Sequence, residues 1–343
     1  TVKDLVGAFI FFRDLLSNSF FPVLEPAIGA GSAFEGWSPH EEDRIYQLLV
    51  PLKPPCGHAF RPELSDAGVG PARNFRIRVE PVCTCTDEQL AEKMLCFLHH
   101  LEEELRRNQE PSLLDTLCTG SYLDVLKTAR WFQQLVKAAW AHSPLSSQCR
   151  LTLLPSHRSC RLQVTKDNTK RFIIEIIFGV RQGFSDVFLS SQGRADIFTR
   201  STMWPESYAV AEAEFFRDVA RRAPHNSCHL KCLQVCARIL VGTAFSTSTL
   251  KTVVMHLLTV LPMSRWRTRD LLPRLQDIMR YLRRCMEDKR LEHFFFGNGN
   301  VPDEVVLPIA LRTAEPVNLF QRLAQDPDAH TEALRELMEL QDR

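Results

Sequence analysis

The sequence has no apolar stretch approaching the roughly 20 residues that a helix needs to cross a bilayer. Its longest early run, Leu5 to Phe12, stops at Arg13. An excess of one charge is missing too: 42 Lys and Arg stand against 41 Asp and Glu, a formal net charge of +1. That balance removes any composition-level case for a nucleic-acid partner and leaves only room for a local basic patch. There is no Asn-x-Ser/Thr acceptor, since Asn18, Asn168 and Asn226 each miss the pattern by one position. Gly-x-Ser-x-Gly is absent, no other serine or cysteine is marked as a nucleophile, and no internal repeat appears. The first residue is Thr1 and no signal-peptide pattern follows it, so the chain reads as a processed or excised piece of a longer protein, compatible with an anchor elsewhere.

What is present is a globular composition. Of 343 residues, 45% are hydrophobic and 24% charged, enough for one large domain or two ordinary ones with a substantial core. Eleven cysteines leave at least one unpaired within a monomer, and a chain of this size needs no disulfides, so the redox compartment stays open.

Residues 2 to 16 read as an amphipathic helix leading to Pro22 and Pro26, with a turn over Gly29 to Gly36. Tyr46 to Leu52 has strand length and is closed by Pro54 and Pro55. A Gly/Pro-rich excursion fills Cys56 to Pro71, and Phe75 to Val79 alternates apolar residues with Arg76 and Arg78 as a half-exposed strand does. Thr86 with Gln89 forms a capping box ahead of one helix whose face carries Leu90, Met94, Leu95, Leu98, Leu101 and Leu105. A further helix spans about Ser121 to Ala141. Arg161 to Thr165 and Arg171 to Val180 read as strands, the second apolar on both faces except for Glu175 and therefore central. After about residue 200 the strand signal fades. Four or five amphipathic helices follow from Glu206, the clearest carrying Leu271, Leu275, Ile278, Leu282 and Met286. The expected division is an α/β lobe over 1–200 and a helical lobe over 201–343, with a cleft between lobes as the usual place for a ligand.

Several clusters invite chemistry. Cys228, Cys232 and Cys236 recur every four residues near His225 and His229, which suggests zinc. On a helix, however, the outer two lie about 12 Å apart along the axis, too far for one tetrahedral ion, so a buried packing face is expected instead. Cys83 and Cys85 point one way on a strand but stand without a second pair. Arg265, Arg267 and Arg269 around Trp266, followed by Arg280, Arg283, Arg284, Lys289 and Arg290, read as a solvated rim. Phe294, Phe295 and Phe296 cannot share one helix face, which predicts packing between lobes.

The series IGAGSAFEGW (Ile28 to Trp37), LLVPLKPP (Leu48 to Pro55), HAFRPEL (His58 to Leu64), MLCFLH (Met94 to His99), CHLKCLQ (Cys228 to Gln234), LKT (Leu250 to Thr252), HFFFGN (His293 to Asn298) and EPVNLF (Glu315 to Phe320) runs in order over nearly the whole chain. It resembles the Mab-21 superfamily, whose fold is shared with nucleotidyltransferases of the cyclic GMP-AMP synthase type, and within it the inositol 1,4,5-trisphosphate receptor-interacting protein family. The resemblance implies an α+β, two-lobed nucleotidyltransferase-like fold, with a mixed β-sheet lobe and a C-terminal helical lobe.

In enzymes of that fold a Gly-Ser turn cradles the phosphates. Carboxylates at i and i+2 of a strand, with a third from a neighbouring strand, hold two cations. The resemblance places Gly31 and Ser32 at the turn and Lys251 toward a phosphate. It places Ile45 and Gln47 at the carboxylate pair and Glu175 at or near the third position. Neither Ile45 nor Gln47 offers a charged ligand, so the expectation is a non-catalytic chain with no metal and no cofactor. Glu175 then reads as a strand carboxylate paired with Arg171 or Arg181. Glu41 and Asp43, also two apart, are the competing pair, although Ser38-Pro39 before them reads as a turn. The compact His/Cys zinc cluster that helps active synthase relatives dock DNA is not found. The resemblance thus implies a protein-interaction module of a membrane-associated, receptor-modulating signalling protein, anchored at the plasma membrane by a single-pass segment outside this chain. The inositol 1,4,5-trisphosphate receptor or the CD3 epsilon chain is the implied partner. Regulatory nucleotide or inositol-phosphate binding, and active metal-dependent transfer, are the alternatives.

Overall fold

The computed structural model describes residues 19–39, 44–65, 73–142, 144–166, 170–192, 199–243 and 245–341. The helix expected over 2–16 and the pair Glu41 and Asp43 lie outside them. The arrangement is α+β, and the chain divides into two compact units. The first takes in Ile45–Gln182, Phe188–Tyr208 and the described part of Thr1–Ala30; the second takes in Gly31–Arg44, Gly183–Val187 and Ala209–Arg343. Against the expected break after residue 200, the last strand stays with the first unit, and the Gly31 turn belongs with the helices.

Among the described residues the first unit carries twelve strands: β1 Val23–Leu24, β2 Ile28–Ala30, β3 Ile45–Lys53, β4 His58–Leu64, β5 Asn74–Pro81 and β6 Cys118–Thr119. They continue as β7 Tyr122–Leu123, β8 Cys149–Leu154, β9 Cys160–Lys166, β10 Lys170–Arg181, β11 Phe188–Ser190 and β12 Trp204–Ser207. The sheet is mixed. β10 runs parallel to β3 and antiparallel to β9 and β11, and the path continues through β12 to β5. The near-continuous apolar character of β10 follows from this central place. Leu48, Val50, Ile174, Ile176 and Phe178 share one buried cluster with Ala129, Phe132 and Val136 of the helix Val125–His142. Side chains alternate along a strand, so Ile45, Gln47, Ile173 and Glu175 fall on the opposite face from that core.

Two expectations fail in the first unit. The Gly/Pro-rich excursion contains β4, which accommodates Pro62 because among the described residues it is paired with β5 alone and can leave one edge without an N–H. The single helix expected from Thr86 through Leu105 is two short ones, Glu88–Ala91 and Glu102–Asn108. Its cap is Asp87, whose side chain accepts from the Gln89 and Leu90 backbone N–H groups, rather than Thr86. Between the two helices Met94 and Phe97 turn onto Gly57, whose φ of 72° and lack of a side chain leave them room: a Cβ there would lie 2.9 Å from the Met94 methyl. Leu98 and Leu101 consequently face solvent.

The second unit is helical, with Ala209–Arg222, His229–Ile239, Thr247–Val260, Leu271–Glu287 and Pro327–Gln341 as its longer helices. Thr247–Val260 is buried on nearly every side, from Leu250 through Met255 without a break. The Phe294 ring meets Phe215 and His256 within this unit, at centroid distances of 5.0 and 5.3 Å.

Candidate functional site

The parallel register of β3 and β10 sets Gln47 directly beside Glu175, and Ile45 beside Ile173. The sequence-derived positions therefore share one strip of sheet. Gln47 Nε2 donates to Glu175 Oε2 at 3.3 Å, and Ser159 Oγ donates to Oε1 at 3.1 Å. Both donors are neutral, and they replace the expected ion pair with Arg171 or Arg181; the Arg181 guanidinium instead stacks over Phe188 at 5.1 Å. One half-buried carboxylate engaged by an amide and a hydroxyl is a poor seat for a hard dication, which asks for several oxygen ligands. Ile45 contributes none.

The Gly31 turn opens a four-residue helix, Ser32–Glu35. Gly31 has φ 79°, a conformation that suits glycine, and its N–H is a donor of the kind a phosphate would use. Here that N–H donates to Glu35 Oε1 at 3.2 Å. The other carboxylate oxygen accepts from Trp37 Nε1 at 2.7 Å. Lys251 Nζ reaches the same Glu35 Oε1 at 2.9 Å and also pairs with Glu212. Its charge lies 5.9 Å from the centroid of the Trp37 ring and 5.7 Å from that of Phe216. Lys251 is only 5% exposed, because it lies in the unbroken buried stretch Leu250 to Met255 of its helix, and a buried ammonium needs carboxylate partners. Burial alone would lower its pKa; Glu212 and Glu35 outweigh that and hold it above the usual lysine value. Burial pushes Glu212 upward. Gly31 and Lys251 thus meet through Glu35, a carboxylate standing where an external anion would have to bind, and Ser32 is half-buried at the start of the same helix.

Cys228, Cys232 and Cys236 are buried, with Cys228 and Cys232 sulfurs 3.9 Å apart on the packing face of His229–Ile239. Burial pushes the Cys236 thiol up to about 12. In the basic segment, Arg280 pairs with Asp277, Arg283 with Glu287, Arg284 with Asp288 and Arg290 with Glu292.

Sequence reasoning missed two groups. Glu35 and Glu212 carry no local signal; only the burial of Lys251 demands them. Cys83 and Cys85 have no second Cys-x-Cys pair in the sequence, yet the structure gathers them with Cys96 and His99, all four ligand atoms lying within 4.8 Å of one another. The signal is the spacing Cys-x-Cys followed by Cys-x-x-His, inside a leucine-rich stretch whose periodicity is that of one helix.

A family model described as the Mab-21 protein HhH/H2TH-like domain matches residues 229–305. The chain is 36% identical over 349 aligned residues, 99% of its length, to inositol 1,4,5-trisphosphate receptor-interacting protein-like 1 of Rattus norvegicus, and 37% identical to its Mus musculus counterpart over the same share. It spans 63% of the length of these two relatives. The inositol 1,4,5-trisphosphate receptor-interacting protein of Bos taurus is 29% identical over 93% of the chain and 61% of that protein. Similarity extending through both units, together with the matched domain, means that the chain belongs to the Mab-21 superfamily, in its inositol 1,4,5-trisphosphate receptor-interacting protein-like family.

Proposed function

We propose that this chain is a non-catalytic form of the nucleotidyltransferase fold, serving as the protein-interaction module of a membrane-associated, receptor-modulating protein. The observation that carries the reading is the closure of the phosphate turn from within: the Gly31 N–H and Lys251 are both spent on Glu35. The engagement of Glu175 by an amide and a hydroxyl supports it, because transfer without two held cations loses its main electrostatic contribution. Relatives named for interaction with the inositol 1,4,5-trisphosphate receptor make that receptor the first partner to test; the CD3 epsilon chain, implied by the sequence resemblance alone, is the second.

Calorimetry of the purified chain with ATP and GTP, with and without magnesium or manganese, tests the first half. No metal-dependent binding and no nucleotide product are expected. Magnesium-dependent affinity that disappears in Glu175→Ala, or adenylated or cyclised product, would overturn it. The second half is tested by pull-down with purified cytosolic and luminal receptor fragments and CD3 epsilon. Saturable binding to one of them is expected, and binding to none, alongside nucleotide binding, would move the function to a small ligand.

A further inference from the structure

We propose that Cys83, Cys85, Cys96 and His99 hold one zinc ion in a closed, structural Cys3His site. Cys83 and Cys85 leave the end of β5, while Cys96 and His99 follow the short helix Glu88–Ala91. His99 Nδ1 lies 3.6 Å from the Cys83 sulfur and 3.1 Å from the Cys85 sulfur. A tetrahedral zinc with bonds of about 2.3 Å to sulfur and about 2.0 Å to nitrogen sets its ligands roughly 3.5–3.8 Å apart, close to the spread seen here. Three soft sulfurs and an imidazole select zinc over calcium or magnesium, and a cage this small fits one ion. All four positions are filled by protein, which leaves no open coordination site for a substrate and makes the role structural.

The segment needs a clamp. Between Val82 and Leu101 it has one turn of helix and otherwise irregular backbone. It is seated on the sheet by the Phe97 ring, 4.9 Å from both His58 and Phe20, and by the Gln109 side chain, which bridges the Leu95 N–H and carbonyl. A metal joining its two ends would fix what few backbone bonds hold. Binding releases the thiol protons of the three cysteines to solvent and changes no oxidation state.

The test uses the 343-residue chain purified without chelator. Elemental analysis and native mass spectrometry are expected to give about one zinc per chain, falling at least tenfold in Cys96→Ser and in His99→Ala but not in Cys56→Ser, which alters an exposed cysteine outside the group. Cobalt exchanged into the wild-type chain should show sulfur-to-cobalt charge transfer with the d–d bands of a tetrahedral site. Because the variants can fail to fold, alkylation of the wild-type chain gives an independent reading: Cys83, Cys85 and Cys96 should resist iodoacetamide until a chelator is added, while Cys56 reacts throughout. Absence of metal from chain expressed with added zinc, a disulfide among the three cysteines in that chain, or full zinc content in Cys96→Ser would overturn the proposal.

Discussion

At Lys251 two effects oppose each other: burial favours the neutral amine, and two carboxylates favour the ammonium. The carboxylates win, so the pair-derived stability is present below the unfolded lysine value and is lost only as pH rises through the still higher folded one. Replacing the cation leaves Glu35 and Glu212 buried without it. Lys251→Met is therefore expected to cost about 3–5 kcal/mol in urea unfolding. A cost below about 1 kcal/mol would mean that water already screens the trio. Histidines set the acid limb. Burial holds His229 and His293 at about 4, with His256 adding to the effect at His293. The Phe295 N–H donates to His293 Nδ1, a bond that only the neutral ring accepts. The unfolded chain takes up these protons near 6.5 and the folded chain does not, so stability is full above pH 6.5 and falls toward pH 4, by at most roughly 3 kcal/mol per ring. Denaturant midpoints at pH 7.5, 6 and 5 should decline in the wild type and decline less in His293→Gln; parallel profiles would remove His293 from the account.

The elements differ in how openly the sequence declared them. β3, β5 and β10 were legible because apolar runs and alternation are direct consequences of strand geometry. β4 was not, since Pro62 argues against a strand unless the partner pattern is known. The leucines between Leu90 and Leu105 do recur at helical spacing, but the fold uses Met94 and Phe97 to cover Gly57 and leaves Leu98 and Leu101 outside, a tertiary demand that no local pattern carries. Helix Val125–His142 was placed but its anchor was not. Asp124 accepts from the Leu126 and Lys127 N–H groups and from the Thr119 and Ser201 hydroxyls. Burial pushes its pKa up, yet these donors hold it below the ordinary aspartate value. Its contribution is present above the unfolded value and is lost as pH falls through the folded one. Asp124→Ala is expected to destabilise by about 2 kcal/mol at neutral pH, as a buried N-cap that also accepts from two hydroxyls. A thermal shift in Asp124→Ala matching that of an exposed Asp328→Ala control would refute this anchoring role.

For the whole molecule, the resemblance points to Ile45 and Gln47 on one strand and to Glu175 on another, and the parallel register of β3 and β10 makes Gln47 and Glu175 neighbours. The contacts that tie the Gly31 turn to Lys251 were not legible, since they depend on Glu35 and Glu212 meeting a lysine remote in sequence. Charge is the remaining property of the whole chain. At +1 there is no net field to gather a polyanion, and Arg280, Arg283, Arg284 and Arg290 of the Leu271–Glu287 helix and its flank pair with Asp277, Glu287, Asp288 and Glu292. Duplex binding draws its free energy from counterions released as Lys and Arg neutralise phosphates. A side chain that must first leave a carboxylate contributes less to that release. The chain is therefore expected to bind duplex DNA no more tightly than about 10⁻⁴ M at physiological salt, the weak limit for non-specific binders. Fluorescence anisotropy of a labelled duplex at 50 and 200 mM salt checks it, and micromolar affinity with a steep log–log salt slope would show that these arginines leave their acidic partners for phosphate.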